Sequence, residues 1–148
     1  MDVRGDPRPA LREISNVFIE HLNDTPLEYR NPRGARILAC VHTGFQAQFD
    51  AYPGHLTWEQ LNAIVKAWEM SAPNLHCKVD NISVDVNDRA GTATVFMELE
   101  FTGVEDTLTM RAFAEMKWAK DEADKWWFHR FHGLRADMTK GLVSEAVD

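Results

Sequence analysis

From Pro9 to Asn23 the apolar residues Leu11, Ile14, Phe18 and Leu22 recur at intervals of three and four, which predicts an amphipathic helix with one stripe toward a core. Asn31-Pro32 breaks that pattern, since the residue before a proline is pushed out of the helical region, and Gly34 adds turn character. The stretch through Cys40 reads as a short helix or an irregular segment. Gly44 to Asp50 alternates apolar and polar, the period of a half-buried strand, and Pro53-Gly54 ends it. Thr57-Trp58-Glu59-Gln60 has the form of a capping box, so a second helix begins there. Trp58, Leu61, Ile64, Val65 and Trp68 share its apolar face, and Pro73 stops it.

Beyond Pro73 every segment reads as strand. Leu75 to Val86 alternates after a bulge near Asp80-Asn81, and Asn87 to Gly91 makes a hairpin turn. Thr92 to Thr102 places Ala93, Val95, Met97, Leu99 and Phe101 on one face. Thr107 to Lys120 does the same with Leu108, Met110, Ala112, Ala114, Met116 and Trp118. Asp121 to Asp124 supplies another turn, and Lys125 to Gly133, written KWWFHRFHG, closes a long meander. The order predicts an α+β domain: helices packed on one face of a curved, mostly antiparallel sheet.

Under a strict two-residue period, Trp126, Phe128, Arg130 and His132 fall on one face of the last strand and Trp127, His129 and Phe131 on the other. If Trp126 and Phe128 join the apolar face of Met97 and Met110, Arg130 and His132 continue it toward a pocket rim. His132 then reads as a general acid/base and Arg130 as a holder of an enolate or phenolate oxygen. The competing reading is a hydrogen-bonded structural pair. Ala112 and Ala114 sit where neighbouring strands carry bulkier groups and leave room for a ligand, or for Trp68 or Trp126. The pocket-lining set is Tyr52, Met97, Met110, Ala112, Ala114, Trp126 and Phe128, with Asp50 as a further candidate base. Phe96, Phe113, Trp127 and Phe131 fall on the outer face and predict an apolar patch that a homodimer would cover.

At 148 residues the chain is expected to form one domain around one core, with 45% hydrophobic residues supporting an ordered globule. The net charge of −7 with no Lys/Arg block argues against nucleic acid as a partner. The charged, proline-containing start argues against a leader or a membrane segment and toward the cytoplasm. Cys40 and Cys77 are too few for a disulfide framework, and no His spacing suits a metal, so no metal site is expected.

The helix-one stripe, Gly44-Phe45 before a short strand, the capped helix at Thr57, Pro73 before the meander and the closing Lys-Trp-aromatic strand ending in Gly133 together resemble the nuclear transport factor 2-like superfamily, and within it the SnoaL-like domains. The resemblance spans about residues 9 to 136. It implies a single cone-shaped domain whose sheet and helices enclose a pocket, homodimers joined across the outer sheet face, and cofactor-free chemistry. Asp50 and Tyr52 end the first strand near the expected cone mouth, where isomerase relatives place an acidic base; the competing reading is a pair of surface turn residues. The Asp-Arg-Asp set of the limonene epoxide hydrolases is missing, and the histidines of scytalone dehydratase do not align with His42, His76 or His132. The reading is a small enzyme of specialised metabolism, a cyclase, isomerase or dehydratase acting by proton transfer on a polyketide- or terpenoid-like intermediate. The alternative is a non-catalytic dimeric domain that binds a hydrophobic small molecule or scaffolds a partner.

Overall fold

In the computed structural model, residues 5–24, 29–50, 52–103 and 109–139 are described. The elements run α1 (Arg8–His21), α2 (Pro32–Leu38), β1 (Val41–Phe49), β2 (Tyr52–Leu56), α3 (Trp58–Ser71), β3 (His76–Asn87), β4 (Thr92–Thr102), β5 (Thr109–Lys120) and β6 (Trp126–Thr139). The stretch that reads as ambiguous between Asn31 and Cys40 is a true helix: the Asn31 side chain accepts from the Gly34 amide at 2.7 Å and Pro32 occupies the first turn. The capping box of α3 is complete, with Gln60 N–H donating to Thr57 Oγ1 at 3.2 Å and Thr57 N–H donating to Gln60 Oε1 at 2.9 Å. β2 was not expected from the sequence. It is a sheet edge, where Pro53 withholds no required donor.

Among the described residues, six strands form one curved, unclosed sheet in the order β2-β1-β6-β5-β4-β3, antiparallel except for the β1–β6 pair, and three helices pack on it. Helix α1 is sewn to the free edge of β3. Asn23, just past its end, donates to the carbonyl of Cys77 and accepts from its amide, both at 2.8 Å, so one side-chain amide stands in for a missing neighbouring strand. Arg12 reaches the carbonyl of Ile82 farther along the same edge, at 3.3 Å.

Among the irregularities of the sheet, one in β3 and one in the first half of β6 set which side chains face the helices. In β3 the extra residue is Asp80, where pairing steps from Val79↔Leu99 to Asn81↔Glu98, as the sequence pattern predicts. In β6 the extra residue is His129: Phe128 pairs with Trp118 and Arg130 with Lys117, so the inward face passes from Phe128 to Phe131 and then Gly133. A strict alternation therefore fails beyond Phe128. Phe131 is buried in the core rather than on the outer face, and Arg130 is exposed.

The core sits between α1, α3 and this inward face. Phe128, 2% exposed, stacks on Trp118 (centroids 5.2 Å apart, 22° between planes) and meets Phe45 and Phe18 edge-on. Trp126 is only half-buried, with Lys120 Nζ 5.8 Å from its ring. Phe128→Ala is expected to lower the urea-unfolding free energy by about 3–5 kcal/mol as a large core truncation, and Trp126→Ala by less than half of that. Equal losses would mean that Trp126 carries the anchoring role its sequence position suggests.

Candidate functional site

The inward side chains of β5 run Trp118, Met116, Ala114, Ala112 and, at the strand's start, Met110, and the neighbouring inward residue of β6 across from Ala114 is Gly133. Large groups fill one end of the cone and small ones leave the other open. A cavity of about 500 Å³ results. Leu99, Ala112 and Ala114 form its floor; Phe18, Ile19 and Leu22 of α1 and Leu61, Val65 and Trp68 of α3 form its walls. Phe49, Phe101, Met110, Phe131 and Gly133 line the wider end, and the polar groups among its lining residues are Asp50, Ser71 and Arg111. Ser71 Oγ already donates to the carbonyl of Trp68 at 3.3 Å.

Of the residues proposed from the sequence, Asp50, Met110, Ala112 and Ala114 meet at this cavity. Met97 and Phe128, each 2% exposed, lie in the packed core and do not line it. Trp126 stands at the far hairpin end beside Lys120. Tyr52 pairs with Phe49 through its backbone; its side chain lies outside the described residues. Arg130 and His132, expected at the rim, are turned to the outer face by the His129 bulge. There Arg130 pairs with Lys117, and His132 Nδ1 lies 3.7 Å from Glu115 Oε1. The three proposed catalytic side chains are therefore not brought together.

Two histidine arrangements escaped the sequence reading. His21 is fully buried at the end of α1, with Nδ1 2.8 Å from Asp24 Oδ2, while Arg33 of α2 donates to the other oxygen of Asp24 at 3.0 Å. Its ring lies 4.7 Å from Tyr29, whose hydroxyl is held well above the usual phenol range by burial. This chain ties α1 to α2. Its legible signal is the His-x-x-Asp spacing with a basic residue in the next helix. No residue of it lines the cavity.

The second is a stack of His42 on His129, with centroids 4.1 Å apart and 26° between planes, in a shallow groove with Trp127, Lys120 and Asp121. It fills the irregularity where β1 passes from Val41 to Gln46 while β6 advances only from Phe128 to Arg130. His42 Nδ1 accepts from the Gly44 amide at 3.0 Å, and Trp127 Nε1 donates to Asp121 at 2.9 Å. Burial, then His42, then Arg130 hold His129 below the usual imidazole range.

Burial raises the thiols of Cys40 and Cys77, the latter to about 12, so neither is an activated nucleophile. Among the described residues no three His, Cys, Asp or Glu side chains are placed to hold a metal ion. No helix among them is long and apolar enough to cross a membrane.

No protein-family model matches the chain, and neither does any curated protein. Solved structures do. The CaMKII hub of S. rosetta superposes with a TM-score of 0.66 at 17% identity, over 89% of this chain and 98% of that one. A protein of Novosphingobium aromaticivorans provisionally assigned as a scytalone dehydratase gives 0.63 at 12% identity, over 92% and 88%. One of Parabacteroides distasonis provisionally assigned as a ketosteroid isomerase gives 0.57 at 14%, over 84% and 86%.

A neutral His129 is favoured by the fold, so its contribution to stability is present above the unfolded-state value of about 6.5 and lost as pH falls below it. The unfolding midpoint of His129→Gln should therefore drop less than that of the natural protein between about pH 7.5 and about pH 5. Parallel profiles would remove the stack from the acid response. The sheet order, the helices laid across its inner face and these superpositions together give the chain the nuclear transport factor 2-like fold.

Proposed function

We propose that the protein admits a ring-sized, largely apolar molecule into the cone cavity and moves a proton on it, in an isomerisation or a dehydration that needs no cofactor. Asp50 is the base. The observation that carries this reading is that Asp50 is the one carboxylate among the described lining residues of a largely apolar cavity. The chemistry it supports is simple. A C–H bond next to a carbonyl breaks, its proton goes to Asp50, and its electron pair forms an enolate. The protonated carboxyl then returns the proton to a carbon farther along the substrate, or to a departing hydroxyl. Structural neighbours provisionally assigned as an isomerase and a dehydratase are consistent with this class of reaction.

The same reading includes self-association through the outer sheet face, whose exposed Phe96 (41%) and Phe113 (46%) lie on adjacent strands. On one side of them stand Asp80, Asp85, Glu98 and Glu100 with Lys78 among them, a net acidic half, and on the other Arg111, Lys117 and Arg130 with Glu115, a net basic half. A two-fold axis along the strands between β4 and β5 sets the acidic half of one copy against the basic half of the other.

Asp50→Asn should bind the fluorescent bicyclic phenol 2-naphthol within about threefold of the natural protein, and lower turnover of a β,γ-unsaturated ketone by at least about 100-fold. Equal turnover by both proteins sinks the catalytic role of Asp50, and naphthol binding without turnover in the natural protein leaves a binding domain. Phe113→Asp is expected to yield a monomer by light scattering where the natural protein gives twice that mass. A monomeric natural protein would end the dimer proposal.

A further inference from the structure

Gly133 faces the cavity directly across the parallel β1–β6 pair from Phe49. A Cβ built on Gly133 would fall 2.8 Å from both Cδ1 and Cε1 of the Phe49 ring and 3.3 Å from Cε2 of Phe131. Real Cβ atoms do not approach that closely. The residue is not a glycine for the sake of a left-handed backbone, because the positive-φ glycines are Gly54, Gly91 and Gly103. What the position uses is the missing side chain, into whose space the Phe49 ring lies down against β6.

Phe49 is well placed to matter for access. It ends β1 beside Asp50, its ring is 5.6 Å from Phe131 and 6.1 Å from Trp68, and all of these line the cavity. Its backbone sits at an irregularity in the β1–β2 pairing. A methyl group on residue 133 would lift the ring off β6. The strand occupies one side of the ring, and the ring is itself part of the cavity wall.

We propose that the Phe49–Gly133 pair sets the size of ligand the cavity accepts, the glycine holding the phenyl ring flat against the sheet so that the wide end stays open for a polycyclic apolar molecule. This rests on the cavity being the ligand site, and it adds the residues that determine size. It is separate from the chemistry of Asp50, because neither residue carries a proton to exchange.

Two fluorescent probes of graded size, 2-naphthol with two rings and 1-hydroxypyrene with four, test the pair by equilibrium titration. Gly133→Ala should weaken 1-hydroxypyrene at least tenfold while changing 2-naphthol by less than threefold. The Gly133→Ala/Phe49→Ala double variant should recover 1-hydroxypyrene, since the displaced ring is gone. Phe49→Ala alone reads the same geometry from the other side, and tighter 1-hydroxypyrene binding is expected even if the alanine at 133 prevents folding. A natural protein that binds neither probe overturns the cavity as a ligand site. A natural protein that binds both, with variants that shift the two probes alike, overturns the size-setting pair and leaves the cavity intact.

Discussion

Strand β6 is the constraint on which the rest of the molecule depends. Lying between β1, its parallel partner, and β5, its antiparallel one, it joins the β1–β2 edge to the β3–β5 meander. Were it to slip by one residue, every side chain in it would change faces. The extra residue at His129 performs half of that exchange in a controlled way. Upstream of it Phe128 stacks on Trp118 in the core, and downstream Phe131 rather than Arg130 turns inward. Without the bulge, continued alternation would put a guanidinium among Phe18, Phe49 and Met116, and an unpaired buried charge is far more costly than a locally bent strand.

That bulge explains why the fold was more legible than the site. The α3 capping box, the helix-one stripe, the hairpin at Asn87 and the bulge at Asp80 are local signals, and each is realised where the residues place it. The Asp80 bulge shows in the sequence because apolar residues jump three positions, from Val79 to Ile82. The same jump exists in β6, from Phe128 to Phe131. It was masked there by two tryptophans and by a His/Arg pair that fits chemistry as readily as surface, so the alternation seemed to run on. The true phase depends on Trp118 and Met116 across the ladder, which no local window contains. β2 was illegible for a related reason: an edge strand with Pro53 and Gly54 resembles a turn until β1 lies beside it.

Buried polar groups were equally hard to read, because their meaning is long-range. His21 flanks an apolar stripe and reads equally as a solvated or as a satisfied structural histidine. It is buried because Asp24 and Arg33 satisfy one side of it and Tyr29 covers its ring. Asn23 is unremarkable in sequence, yet its amide closes the backbone of Cys77 at a free sheet edge. Together these contacts fix the end of α1 against both α2 and the sheet. Phe18, Ile19 and Leu22 are thereby held at the height that leaves a cavity beneath them.

The position of that cavity follows from a gradient of side-chain size rather than from any special motif. Along the inward face of β5, Trp118 and Met116 give way to Ala114 and Ala112, and Gly133 lies beside Ala114 on β6. At the large end the rings of Phe18, Phe45, Trp58 and Phe128 interlock at centroid distances from 4.9 to 6.1 Å, and no room is left. At the small end α3 cannot settle onto the sheet, because its own Trp68 already meets the ring of Phe49. Aromatic packing thus props the helix where alanines cannot reach it. The same pattern, Trp-x-Met-x-Ala-x-Ala read backward along one strand, is visible in the sequence, and it is a more direct sign of an open cone than any of the histidines.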